Sequence, residues 1–176
     1  MLFEPHIFYR ELSGSELNEA IRLGLAYKKW GTRRYPRDSY PRLEAAMRIN
    51  EEAALRSASW GLGQIMGFNH KLAGYNSAKE MVEDFLDDEE KHLNAAVTFI
   101  ISSGLDDELR EHDWHGFARG YNGSGYKKNG YHTKLAAAYS KWSKIKDTPF
   151  SIDRDLPDPN KSLKRCVLSD SFIFTK

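Results

Sequence analysis

Cysteine is almost missing from this sequence: Cys166 is the single instance in 176 residues. One thiol cannot close an internal disulfide, so the fold does not depend on an oxidising compartment. Cys166 lies in the C-terminal tail, far in sequence from any candidate base, and is read as an ordinary thiol. No apolar run approaches the roughly 18 residues that a membrane-spanning helix needs. The opening MLFEPHIFYRE has neither a basic leader region nor a cleavage site, so synthesis in the cytoplasm without a signal peptide is expected. Excess charge is also lacking, with 26 Lys and Arg against 25 Asp and Glu, and nucleic acid is therefore not expected as a partner.

Several catalytic signatures are missing too. No GxxxxGK[ST] and no GxGxxG follows a strand-like run, which leaves nucleotide chemistry unsupported. No strand-to-helix GxSxG elbow occurs, so acyl transfer by an activated serine is a poor fit. His112 and His115 flank Asp113 but have no matching pair of ligands elsewhere, and they read as exposed residues at a helix end. No metal and no cofactor is expected.

What is present describes a soluble globular chain, with 40% hydrophobic and 29% charged residues and enough length for one domain with a real core. The LFEPHIFY opening, interrupted by Pro5, predicts a short extended segment or hairpin arm and not a helix. Ser13 and Glu16 have capping-box spacing, and Leu17, Ala20, Ile21 and Leu25 extend a helical pattern to about Trp30, where Gly31 ends it. Residues 31–41 read as a loop. Lys28, Lys29, Arg33, Arg34, Arg37 and Arg42 make a basic run, either a solvated face or an attraction to an anionic polymer or membrane surface.

A helix with Leu43, Ala46 and Met47 on one face follows, restarting at Asn50 and ending near Ser57. Ser77 and Glu80 make a second capping box, opening the longest predicted helix, whose apolar stripe runs from Val82 to Ile100 and which Gly104 caps. Asp113 caps a segment in which Trp114 and Phe117 are assigned to the core, and a last helix carries Leu135, Ala138, Tyr139 and Trp142, the last also assigned to the core. The Pro-containing residues 146–176 read as a separate tail, a linker followed by an apolar VLSDSFIF strand or frayed end.

Two segments carry the chemistry. SASWGLGQIMG, residues 57–67, sets Trp60 and Gln64 among glycines that permit close backbone approach, and suggests a loop turning into a buried helix with Gln64 early in it. FARGYNGSGYKKNGYHTKL places Tyr121, Asn122, Tyr126 and Tyr131 among Gly120, Gly123, Gly125 and Gly130. Aromatic faces and amides on a turning loop suit a neutral ligand rich in hydroxyl and amide groups, such as a sugar chain. A partner for Gln64 is either backbone or a sugar acetamido group.

Glycoside hydrolysis needs a carboxylic acid in apolar surroundings and a second means of managing the oxocarbenium ion. Glu4, between Leu2, Phe3, Pro5, Ile7 and Phe8, meets the first requirement and is the candidate general acid of this chain. The alternative reading has Glu4 facing solvent or pairing with His6 or an Arg. Glu51 and Glu52 are further candidates, although an acidic pair at a helix start also complements the helix dipole.

LFEPHIFYREL, RLEAAMRINEEAALRSASWGLGQIMGFN and DWHGFARGYNGSGYKKNGYHTKLAAAY, in that order, resemble the N-acetylmuramidase domain of bacteriophage endolysins and related bacterial peptidoglycan hydrolases. The resemblance covers residues 2–142. More distantly, GLGQIM with YNGSGY is similar to the signatures of lytic transglycosylases and goose-type lysozymes.

The resemblance implies a mainly α, lysozyme-like α+β fold with a saccharide cleft, over residues 1–145, and cleavage of the β-1,4 bond between N-acetylmuramic acid and N-acetylglucosamine. Carried over by motif, Tyr121 neighbours the acid, Gln64 and Asn122 contact glycan, and Trp60 lines or supports the cleft. In the family a helix with a Glu-Ser motif precedes the Phe-Glu-x-His segment and supplies the acid, whereas this sequence begins at that segment, as if the first helix were missing. The implied partner is a peptidoglycan glycan strand, met at the cell wall after release or export, with the chain a monomer. The same motifs leave open a lytic transglycosylase or an inactive remnant that only binds peptidoglycan.

Overall fold

The structure is a computed structural model that describes residues 1–145. Cys166 and the expected VLSDSFIF strand lie outside the described residues. The chain divides into two compact units, Met1–Asp107 and Glu108–Lys176.

In the first unit Leu2–Phe3 forms strand β1, and Pro5–Glu11 then forms helix α1. The extended reading of this opening therefore holds for two residues and fails after them. Pro5 sits at the first helical position, where its missing N–H costs no hydrogen bond and its fixed φ suits the helix. Phe3 and Phe8 are fully buried and meet edge to face at 5.4 Å.

Helix α2, Gly14–Arg22, stops well short of Trp30, because Gly24 takes a left-handed conformation (φ 70°) and turns the chain. Ser13 is its N-cap without a side-chain hydrogen bond, and Glu16 instead accepts from Asn50 Nδ2 at 3.1 Å. The loop that follows runs to helix α3, Tyr40–Met47, whose Leu43 and Ala46 are buried as the pattern predicts. Helix α4, Glu51–Arg56, opens on Asn50, whose side chain accepts from the Ala53 N–H at 3.0 Å.

The SASW segment is strand β2, Ala58–Trp60, and not the approach to a helix. It pairs antiparallel with β1, Leu2 opposite Ser59 and Phe3 opposite Ala58. Its other edge pairs with β3, Ile65–Met66, giving the sheet order β1-β2-β3. Pairing on both sides satisfies the backbone groups of β2, and the helical periodicity expected after Gly63 gives way to a tight hairpin. Gly61 has φ 66°, and a Cβ there would come within 2.8 Å of the Phe85 ring, so this glycine is needed for both conformation and space.

The long helix predicted from Ser77 is two helices, α5 over Ala78–Asp87 and α6 over Glu89–Ser102. Asp88 breaks them in an extended conformation and caps α6 by accepting from the Glu90 N–H. Ser77 caps α5 as expected. The break re-phases the apolar stripe: Val82, Phe85, Ala95 and Phe99 are buried, while Leu86, Leu93 and Val97 are exposed. Gly104 follows α6 at φ 62°, the terminating role assigned to it. Helix α7, Asp106–Arg110, spans the boundary between the units.

In the second unit Asp113 caps helix α8, Trp114–Asn122, accepting from the N–H groups of His115 and Gly116. Phe117 and Ala118 are buried there. Gly123 (φ 76°) ends α8, a short 3-10 helix covers Ser124–Lys127, and left-handed Gly130 starts helix α9, Tyr131–Trp142. Trp142, expected in the core, is 55% exposed, and no residue of α9 is buried. Trp114 is half-buried and stacks on His112 and Tyr139. The architecture is mainly helical with one small sheet, the α+β class expected.

Candidate active site

Glu4 stands between β1 and α1. Its N–H donates to the Ser57 carbonyl at 2.8 Å, and its own carbonyl accepts from Ile7 and Phe8, so the backbone is pinned on both sides. The side chain is 14% exposed, as is that of His6. The Tyr35 hydroxyl donates to Glu4 Oε2, and His6 Nδ1 lies 3.3 Å from the same oxygen.

Burial first, and the charge of Arg10 second, lower the pKa of His6 below the usual histidine value. His6 is therefore mostly neutral at pH 7, so its 3.3 Å approach to Glu4 is a polar contact and not a full ion pair. Tyr35 is held firmly protonated by burial, by its bond to Glu4 and by the negative charge of Glu4. The Tyr35 hydroxyl thus donates to the carboxylate oxygen that His6 also neighbours.

Tyr35 was not legible in the sequence, because 31 positions separate it from Glu4 and it lies in an irregular loop. The alternative reading in which Glu4 pairs with His6 agrees with their 3.3 Å contact. Glu51 and Glu52 lie in the exposed first turn of α4, where Glu51 pairs with Lys79 at 3.3 Å and the two complement the helix dipole.

Gln64 occupies the β2–β3 hairpin with φ 51°, a left-handed conformation rare for a residue with a side chain. Its side chain is exposed but held: Nε2 donates to the Gly61 carbonyl at 2.9 Å, and Oε1 accepts from Ser59 Oγ at 3.0 Å. Ser59 lies opposite Leu2 on β1, so one small sheet carries both Gln64 and the strand that leads into Glu4. Trp60 is 7% exposed and donates from Nε1 to the Leu55 carbonyl at 2.9 Å, which makes it a support beneath the hairpin and not an open sugar platform.

In the second unit Tyr121 and Asn122 are the last two residues of α8. Tyr121 is half-buried, stacks on Phe117 at 5.3 Å, and has its pKa raised by that burial. Asn122 is exposed. Tyr126 is 7% exposed beneath the turn, with its hydroxyl 3.3 Å from His115 Nδ1, so it braces the loop and offers no open face. Tyr131 opens α9 with Lys134 over its ring. His115 and His132 stack at 4.3 Å, a pair that sequence spacing did not reveal. His112 packs against Trp114 and Tyr139, and no group of three or more candidate metal ligands exists among the described residues.

The pattern of the N-acetylmuramidase family matches residues 1–143. The chain belongs to that family. The family is one of peptidoglycan hydrolases, and the match covers both the Glu4 segment and the Tyr-Asn turn. Among solved structures, the chain is similar to the endolysin of Burkholderia phage AP3, with 34% identity and a TM-score of 0.70, over 82% of this chain and 56% of that one. The chain thus spans just over half the length of that endolysin, and the lysozyme-like α+β fold is shared. A comparison with curated proteins finds no match. No helix among the described residues is long and apolar enough to cross a membrane.

Proposed function

We propose that this chain is a peptidoglycan-cleaving muramidase domain that hydrolyses the β-1,4 bond between N-acetylmuramic acid and N-acetylglucosamine. The family match over residues 1–143 carries this reading. Residues 1–145 form the muramidase domain and 146–176 a tail outside it. In the first unit Glu4 is the reacting carboxyl group and Gln64 contacts glycan through its amide; in the second unit Asn122 and Tyr121 are the glycan-contacting residues. Trp60 and Tyr126 serve as supports for the two loops.

In this reading Glu4 is the general acid: its side chain is only 14% exposed and receives the Tyr35 hydroxyl at Oε2. Glu4 gives its proton to the leaving glycosidic oxygen, the bond from that oxygen to the anomeric carbon breaks, and water adds its hydroxyl to that carbon while its other proton returns to Glu4.

Turbidity loss of permeabilised Gram-negative cells tests the activity, with Glu4→Gln as the comparison. Clearing by the intact chain and its loss in the variant support the reading. Absence of clearing by a folded chain that still sediments with purified sacculi would instead favour the remnant that only binds.

A further inference from the structure

The loop between α2 and α3 carries Lys28, Lys29, Arg33, Arg34 and Arg37 within ten residues. All five side chains are exposed, and none forms an ion pair among the described residues. Asp38 is the one acid within this stretch of sequence, and its carboxylate accepts from the Tyr40 N–H. The cations are therefore uncompensated locally, although the whole chain is nearly neutral at +1. Long-range charge thus gathers at one place instead of spreading over the surface.

Trp30 stands in the middle of this cluster, 60% exposed. Tyr35, five residues on in the same loop, is anchored on Glu4. An exposed indole flanked in the loop by cations matches the chemistry of a lipid headgroup layer: the ring sits at the boundary between headgroups and acyl chains while Lys and Arg meet phosphate. A soluble polyanion would account for the cations but gives the exposed Trp30 no role.

We propose that this loop docks the chain on an anionic phospholipid surface, with Trp30 as the interfacial anchor and Lys28, Lys29, Arg33, Arg34 and Arg37 as headgroup contacts. The assignment is independent of any glycosidase activity, since a lipid surface contains no glycan. Because the loop also supplies Tyr35, docking would bring Glu4 close to the bound surface.

Co-sedimentation of the full chain with vesicles tests this. Phosphatidylglycerol–phosphatidylcholine vesicles are expected to bind at least ten-fold more tightly than pure phosphatidylcholine vesicles, with the difference shrinking as salt rises. Lys28→Glu, Lys29→Glu and Arg34→Glu in one variant should abolish the preference, while Lys28→Gln, Lys29→Gln and Arg34→Gln should weaken it partially; circular dichroism confirms that both remain folded. Trp30→Ala should reduce binding to the anionic vesicles with the charge unchanged. Equal binding to both vesicle types, or an unchanged preference in the charge-reversed variant, overturns the proposal. So does tight binding to sodium polyphosphate with no sedimentation on vesicles.

Discussion

The Tyr35 hydroxyl donates a hydrogen bond to Glu4 Oε2, joining an irregular loop to the residue that links β1 and α1. Tyr35 is a positioning residue, since it acts through Glu4. Tyr35→Phe removes the donor and keeps the ring. We expect kcat to fall about ten- to hundred-fold with KM nearly unchanged, and a stability loss of about 1 kcal/mol. Steady-state kinetics on soluble peptidoglycan and urea unfolding separate the two effects; a large rise in KM with kcat intact would contradict the positioning role.

The proton-donor role assigned to Glu4 fixes the sense of its pH dependence. A general acid acts only while it holds its proton, so kcat/KM should fall as pH rises through that ionisation, forming the basic limb of the profile. Glu4→Asp should retain that limb with reduced activity, because it shortens the side chain without removing the acid. A variant series in which this position governs the acidic limb instead would contradict the proton-donor role.

His6 and His132 give the fold its own pH response. Burial lowers the pKa of both, with Arg10 adding to the effect at His6, and His115 and Lys127 at His132. Each binds its proton less readily when folded than when unfolded, so the unfolded state carries more protons in the window between the lowered value and the ordinary 6.5. Their contribution is fully present above that window and is lost as pH falls through it. Melting temperature should drop on acidification below 6.5, and His6→Asn should flatten part of the drop. A melting temperature independent of pH across this range would rule the effect out.

Gly67 is fixed by packing. A Cβ at this position would collide with the Leu55 carbonyl oxygen and lie 2.8 Å from Arg56 Cα, and neither backbone atom can give way cheaply. Gly67→Ala should cost about 3 kcal/mol, read as a shift in the denaturation midpoint at constant slope. A change under about 0.5 kcal/mol, the range of ordinary surface substitutions, would show that α4 and the hairpin are less closely packed than described.

How much of this could be read in the sequence depended on how local the cause was. Asn50, Ser77 and Asp113 act on N–H groups two or three residues away, and their caps were legible in full or nearly so. Pro5 misled because the same residue that disrupts strands also starts helices. The SASW strand was hidden because its partners, Leu2–Phe3 and Ile65–Met66, are short and one of them is 57 residues away at Ser59 Oγ to the Leu2 carbonyl. Asp88 divided α5 from α6 with a cap that resembled one more acid in a charged run.

The site was legible in the same measure. Gln64 and Asn122 stand out as amides among glycines, and both side chains are exposed. Trp60 and Tyr126 have the same composition around them, yet each is buried beneath its turn, a distinction that only packing makes. Tyr35 carries no motif at all. Its importance comes from a contact between a loop and a helix start.

Mass spectrometry of fragments released from purified sacculi tests the central claim most directly. The intact chain should release fragments that end in reducing N-acetylmuramic acid, and Glu4→Gln should release none while remaining folded. Anhydro ends, reducing N-acetylglucosamine ends, or equal release by the Glu4→Gln variant would contradict a muramidase that works through Glu4.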